Sequence, residues 1–198
     1  ASRESARGPG AACPVDELRT CDLSSLIATE NVVRGAECAY YLVHSMMPST
    51  RLSQGDFWNF DLIAADNFAR AASRSGVKQI IYLGGLVPSG DVLSRHLKSR
   101  FEVEKTLGAH GVPVTALRAG MVIGAEGPSF LTMVKTVQKA PLILCPNWAD
   151  TISHPIALED VVHLLCFCLA KESTFFQAFD VGGPELMSYR RMLQTIAR

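Results

Sequence analysis

An α/β domain built on a parallel sheet is the fold class that this 198-residue sequence predicts. Three observations carry that reading. Short apolar runs alternate along the chain with longer segments of helical periodicity. Between residues 77 and 124 the order is strand, helix, strand, which makes the two strands parallel and the crossover right-handed. Within that stretch Ile80, Ile81, Tyr82 and Leu83 form a β-branched and aromatic run without polar alternation, as a strand buried on both faces requires. Periodicity alone leaves a buried helix open for so short a run.

Taken in order, residues 1–14 are rich in Ala, Arg, Gly and Pro and read as a disordered tail, too short and unpatterned for a transit peptide. The start at Ala1 rather than a methionine marks the chain as processed or truncated. Residues 15–20 are a candidate short strand leading to Cys21, Asp22 and Leu23. Ser24 or Ser25 starts a helix that ends near Gly35. Residues 38–43 are the next strand. Pro48, Ser49, Thr50 and Gly55 mark residues 46–55 as a loop. Residues 56–75 form a long helix with Phe60, Ile63, Ala64, Phe68, Ala71 and Ala72 near one side, ended by Gly76. After the central strand, Gly84 and Gly85 stop it and permit close approach of another group to the backbone. Ser94 caps a helix whose apolar side includes Leu97, Phe101 and Leu107, and Gly108 and Gly111 end it. Residues 112–117 are the following strand. Ser129 caps a helix over 130–139, and Pro141 opens an extended segment. Residues 152–156 are extended, 159–170 helical, 179–181 a late strand and 189–197 the last helix. No internal repeat or linker divides residues 15–198, so one domain is expected.

Composition narrows the function. With 48% hydrophobic residues the chain can bury one sizeable core. Nineteen basic and nineteen acidic residues balance, which removes the electrostatic case for nucleic acid or an anionic membrane. The apolar run over 161–170 falls short of the roughly 18 residues that a membrane span needs. Cys13, Cys21, Cys38, Cys145, Cys166 and Cys168 form no Cys-x-x-Cys pair and no zinc spacing with histidine. They read as reduced thiols of a cytoplasmic protein rather than a disulfide framework, and no metal site is expected. No Gly-x-Ser-x-Gly elbow and no His-Glu-x-x-His site is present, so hydrolase and metalloprotease readings have no support.

Five segments, in this order and spacing, carry a resemblance. They are Ala-Tyr-Tyr-Leu-Val-His-Ser-Met (39–46), Ile-Tyr-Leu-Gly-Gly-Leu (81–86), Leu-Arg-Ala-Gly (117–120), His-Pro-Ile-Ala-Leu-Glu-Asp-Val (154–161) and Phe-Asp-Val-Gly-Gly-Pro (179–184). Over residues 16–197 the chain resembles the atypical or extended short-chain dehydrogenase/reductases, in their NmrA-like and epimerase-like branch. The resemblance implies a Rossmann-like doubly wound parallel sheet and NAD or NADP as cofactor. Such a fold opens with a glycine-rich turn between its first strand and helix, whose amides hold the pyrophosphate. Gly8 and Gly10 match by letters only, since no strand precedes them. Gly120, Gly124 and Gly127 come too late in the topology. By the resemblance the domain is therefore incomplete at its N-terminus and lacks the first glycine-rich βαβ unit.

The resemblance also names residues. Asp22 and Leu23 stand where the family contacts adenine; Asp22 equally suits a helix N-terminus, where it satisfies free amides. Leu42, Val43 and His44 end a parallel strand, the place where ligands collect in such sheets; His44 equally suits a local hydrogen bond. Redox members of the family use Tyr-x-x-x-Lys, the tyrosine exchanging the proton and the lysine lowering its pKa and binding ribose. None of the four tyrosines here has lysine four residues later. The matching helix positions hold His96 and Arg100, and Gly84 and Gly85 take the place of the family's serine. Spacing of four puts the pair on one helix face, where the alternative is a solvated face without function. Histidine can do acid–base work near neutrality, whereas arginine can hold ribose or phosphate but exchanges no proton. Arg118, Ala119, Gly120 and Met121 end the next strand, where the family lines its nicotinamide pocket; the competing account pairs Arg118 with a carboxylate such as Asp160. The expected function is thus an NAD(P)-dependent oxidoreductase or epimerase-like enzyme on a small carbonyl or hydroxyl compound. The alternative is a redox-inert NAD(P)H sensor with a protein partner.

Overall fold

The computed structural model describes residues 17–44, 54–87, 94–125, 127–139 and 147–197. The expected tail, and most of the loop over 46–55, lie outside the described residues. So does the extended segment opened by Pro141.

Helix α1 (Leu26–Val33) is capped by Ser25, whose hydroxyl accepts from the Ala28 amide, and leads into β1 (Cys38–Tyr41). Then come α2 (Gln54–Arg74), β2 (Gln79–Gly85), α3 (Arg95–Leu107) and β3 (Val114–Ala119). A carboxyl-terminal part follows: β4 (Val122–Ile123), α4 (Pro128–Lys139), β5 (Ile152–Ser153), β6 (Ile156–Ala157) and α5 (Leu158–Cys168). The last elements are β7 (Gln177–Val181), β8 (Met187–Ser188) and α6 (Tyr189–Ile196).

The central sheet has the order β1-β2-β3-β7, and every pairing in it is parallel. Helices cover both faces. Tyr41, Ile80, Tyr82, Val114 and Ala116 pack on one side with Val33, Ala65, Ala72, Val103 and Leu107 of α1, α2 and α3. On the other side Ile81, Leu117 and Ala119 meet Val161, Leu165 and Cys168 of α5. The Ile80–Leu83 run is therefore buried on both faces, as its composition requires. Two small pairs, parallel β4–β6 and antiparallel β5–β8, stand beside the central sheet.

Several expectations need correction. Residues 17–20 form no strand: they are exposed, and Glu17 and Arg19 pair with each other on the outer side. Strand β1 ends at Tyr41 rather than 43. Strand β2 continues through Gly84 and Gly85, which pair in register with Arg118 and Ala119. Helix α4 starts at Pro128, whose fixed φ and missing N–H suit a first helical position, so Ser129 is inside it. Phe60 and Ile63 are 41% and 51% exposed. Helix α2 has 21 residues and is about 30 Å long, while the seven residues of β2 span about 23 Å. Among its described side chains Ala64, Ala65, Ala69, Ala71 and Ala72 are fully buried, and Asp61 is buried with them.

At the amino edge of the sheet a buried polar network closes the structure. Gln79 donates through Nε2 to the Thr115 hydroxyl (2.8 Å) and the Cys168 carbonyl (2.9 Å), and its Oε1 accepts from the Ala170 amide (2.8 Å). Thr115 in turn donates to the Thr174 carbonyl at 2.9 Å. The opposite, carboxyl edge is where exposed polar side chains gather.

Candidate functional site

At that carboxyl edge β1 runs out into Leu42, Val43 and His44, β2 ends in Gly84 and Gly85, and α3 begins. Ser94 caps α3, its hydroxyl accepting from the Leu97 amide at 3.3 Å. Leu97 lies over the strand end: a Cβ placed on Gly85 would come 2.9 Å from its Cδ2. The helix start is thereby pressed onto the glycines, and His96 emerges beside His44. Their ring centroids are 5.4 Å apart at an interplanar angle of 54°, and both side chains are exposed. His44, Gly84, Gly85 and His96 thus meet at one edge.

Arg100, one turn below His96, is not on the solvated face. It is 8% exposed, and its Nη2 has no hydrogen-bond partner. Burial pulls the guanidinium down from its usual range to about 10, so it stays charged at neutral pH. Around it stand Tyr41 of β1 and Tyr82 of β2, whose ring centroids are 6.2 Å apart. The Tyr82 hydroxyl donates to the Arg100 carbonyl at 3.2 Å. Asp61 of α2 is 6% exposed; burial, and after it the Asp61 charge, pushes the Tyr41 phenol up while Arg100 opposes the shift. The two residues of this i, i+4 pair thus differ, His96 exposed and Arg100 buried. A buried cation with an unused donor is costly unless something completes it.

Arg118 is engaged elsewhere. Its Nε and Nη2 donate to the two carboxylate oxygens of Glu104 at 2.9 and 2.7 Å, and its guanidinium lies 5.5 Å from the Phe101 ring centre. The carboxylate partner is Glu104 of α3, not Asp160, and the pair ties α3 to β3. Ala119 is buried, and its carbonyl accepts from the Leu86 amide at 3.1 Å. A Cβ on Gly120 would lie 2.2 Å from the His154 carbonyl oxygen, so this glycine is demanded by the approach of the β5–β6 turn. Met121 lines a separate cavity formed with α4 and α6. Asp22 accepts from the amide and hydroxyl of Ser24 at 2.9 and 2.7 Å, which holds its carboxyl below the usual range. The Leu23 carbonyl accepts from Asn67 at 2.9 Å. These contacts belong to the start of α1 and do not run to the His44–His96 pair.

Sequence reasoning did not reach the burial of Arg100 and Asp61, because neither charge stands in a motif that signals a core position. It also assigned no role to His154, whose Nε2 meets the Gly183 carbonyl at 2.6 Å and whose ring packs where a Gly182 side chain would be. His154 fastens the small strand pairs to the end of β7.

No family model matches the chain. Among solved structures it is similar to the Bordetella bronchiseptica enzyme WbmG, determined with NAD and UDP, with a TM-score of 0.74 and 18% identity over 92% of this chain and 63% of that one. It is also similar to the UDP-glucose 4-epimerase of Thermotoga maritima with UDP-glucose (TM-score 0.70, 12% identity, 88% of this chain and 65% of that one). A third is the dTDP-glucose 4,6-dehydratase DesIV of Streptomyces venezuelae, a double mutant with NAD bound (TM-score 0.71, 14% identity, 88% and 61%). The fold is Rossmann-like. The chain spans less than two thirds of the length of each of these structures. In sequence, 94 residues are 29% identical to the auxiliary protein GraX of Staphylococcus aureus, covering 48% of this chain and 27% of that protein. Among the described residues no helix is long and apolar enough to cross a membrane, and no cluster of three metal-ligating side chains occurs.

Proposed function

We propose that the chain carries the catalytic edge of an NAD(P)-dependent oxidoreductase or epimerase-like enzyme acting on a small carbonyl or hydroxyl compound. The observation that carries this reading is the pairing of the exposed His96 and His44 rings at the strand ends, with the buried Arg100 and its unused Nη2 one turn further along α3. The ribose end of a dinucleotide would sit against the exposed His44 and His96 rings, with the Arg100 charge one helical turn further along α3. The pyrophosphate end does not find its usual partners, since the strand-to-helix turn of Gly124 and Gly127 between β4 and α4 comes too late in the topology. The full polypeptide would supply the glycine-rich βαβ unit upstream, pairing it against β1, which has no strand on its outer side among the described residues.

In this reading the dinucleotide supplies or takes up a hydride. His96 holds and returns the substrate proton, because an imidazole can both accept and donate one. His44 flanks the same proton position, and Arg100 orients the cofactor without exchanging protons. The epimerases and the dehydratase that share the fold act on, or are bound to, sugar nucleotides, and that chemistry of carbonyl and hydroxyl carbons supports the reaction class.

Steady-state kinetics of the full polypeptide tests the assignment. General acid–base assistance contributes roughly a hundred- to ten-thousand-fold, so His96→Asn should lower turnover by about that factor with the dinucleotide KM nearly unchanged. Unchanged turnover would remove His96 from the chemistry. Tight dinucleotide binding without any turnover, together with a retained protein partner, would select the sensor reading instead.

A further inference from the structure

The cavity between α4, α6, the β4–β6 pair and the segment after β7 measures about 460 Å³, a size usual for small-molecule sites. It adjoins the carboxyl edge, because Met121 follows β3 and Gly183 follows β7, two strands paired in register. Its walls are apolar. Met121, Met133, Met187 and Met192 line it, four of the chain's six methionines, with Phe130 and Ile156 between them. Methionine adapts its shape to irregular apolar ligands.

The polar side chains among the described lining residues offer only acceptors. Asp160 and Glu185 are exposed carboxylates at its rim. The Thr195 hydroxyl already donates to the Arg191 carbonyl at 2.9 Å, which leaves only its lone pairs to a ligand. No Lys, Arg or His is among the described lining residues. The start of α5 is no anion site either, since Glu159 and Asp160 occupy its first turn and meet the positive end of the helix. A diphosphate needs cations or free amide donors around it, and two carboxylates at the mouth repel it.

Resting on the enzymatic reading above, we propose that this cavity is the substrate pocket and that it takes an apolar, phosphate-free molecule whose polar group is a hydroxyl or an amine. The substrate class therefore differs from the sugar nucleotides of the enzymes that share the fold.

Three probes with one body and different head groups test this: 2-naphthylmethanol, 2-naphthylmethylamine and 2-naphthoate, with UDP-glucose as the fourth. Methyl spectra of the ¹³C-methionine-labelled full polypeptide report the location of binding without any turnover. The expected result is that the alcohol and the amine shift the Met133, Met187 and Met192 methyl signals. The acid should bind at least about tenfold more weakly than the amine, and UDP-glucose should leave these signals in place. Asp160→Lys combined with Glu185→Lys should reverse the order of amine and acid, and Glu185→Lys alone should narrow it if the double variant does not fold. UDP-glucose shifting these methyls, or the alcohol and amine shifting none, would overturn the proposal. A protein without turnover that still shows the expected shifts would refute the enzymatic reading while supporting this ligand class.

Discussion

Arg100 is the residue at which stability and function part. As a buried cation with one donor unused, it should weaken the folded state, and replacing it with an apolar side chain of similar length should remove that cost. Arg100→Met is therefore expected to keep or raise the urea midpoint while weakening dinucleotide binding; a fall in both would make Arg100 a structural residue only. The pH dependence has a definite sign. The folded guanidinium is held at about 10, below its ordinary value, so between these two values the unfolded chain binds more protons. Stability then rises with pH in that window. The advantage of Arg100→Met over the parent chain should accordingly be full below pH 10 and shrink as pH climbs above it, as read from paired unfolding curves. His96 and Arg100 were both named by their spacing. Their different environments were not legible, because a spacing of four fixes a helix face but not where the sheet beneath it ends.

At the scale of elements, the β2–α3–β3 crossover holds the site in place. Its amino edge is fixed by Gln79, Thr115 and Thr174, and the Arg118–Glu104 pair ties α3 to the carboxyl end of β3, beside Gly84. Gln79→Leu would leave the Ala170 amide without its acceptor and the Thr115 hydroxyl without its donor. A buried group left unsatisfied costs about 1–3 kcal/mol, so the urea midpoint should drop accordingly with little effect on the carboxyl edge. An unchanged midpoint would show that water replaces the side chain. This crossover was readable from sequence because strand burial, the Ser94 cap and the Gly108 stop all agree locally. Arg118 was harder, since choosing Glu104 over Asp160 needs the register of α3 on β3. The sequence candidates Asp22 and Leu23 depended on topology alone, and their contacts are those of a helix start. The cavity left no periodic trace at all, because its walls come from six elements spread between Met121 and Ile196.

For the molecule as a whole, the alternation of strands and helices predicted the parallel sheet, and the order β1-β2-β3-β7 bears it out. The central claim is that the described carboxyl edge receives the nicotinamide–ribose end of a dinucleotide and leaves its pyrophosphate end to another segment. Intact NADH should therefore bind residues 1–198 weakly, since the amides that hold pyrophosphate are not among the described residues. The most direct measurement titrates nicotinamide mononucleotide and, separately, adenosine monophosphate into residues 1–198, following the Gly84 and Gly85 amides and the His44 and His96 ring protons by NMR. The account predicts that the nicotinamide half shifts these signals, that Arg100→Met abolishes the shifts, and that the adenosine half leaves them in place. Shifts from the adenosine half alone, or low-micromolar binding of intact NADH by residues 1–198, would contradict it.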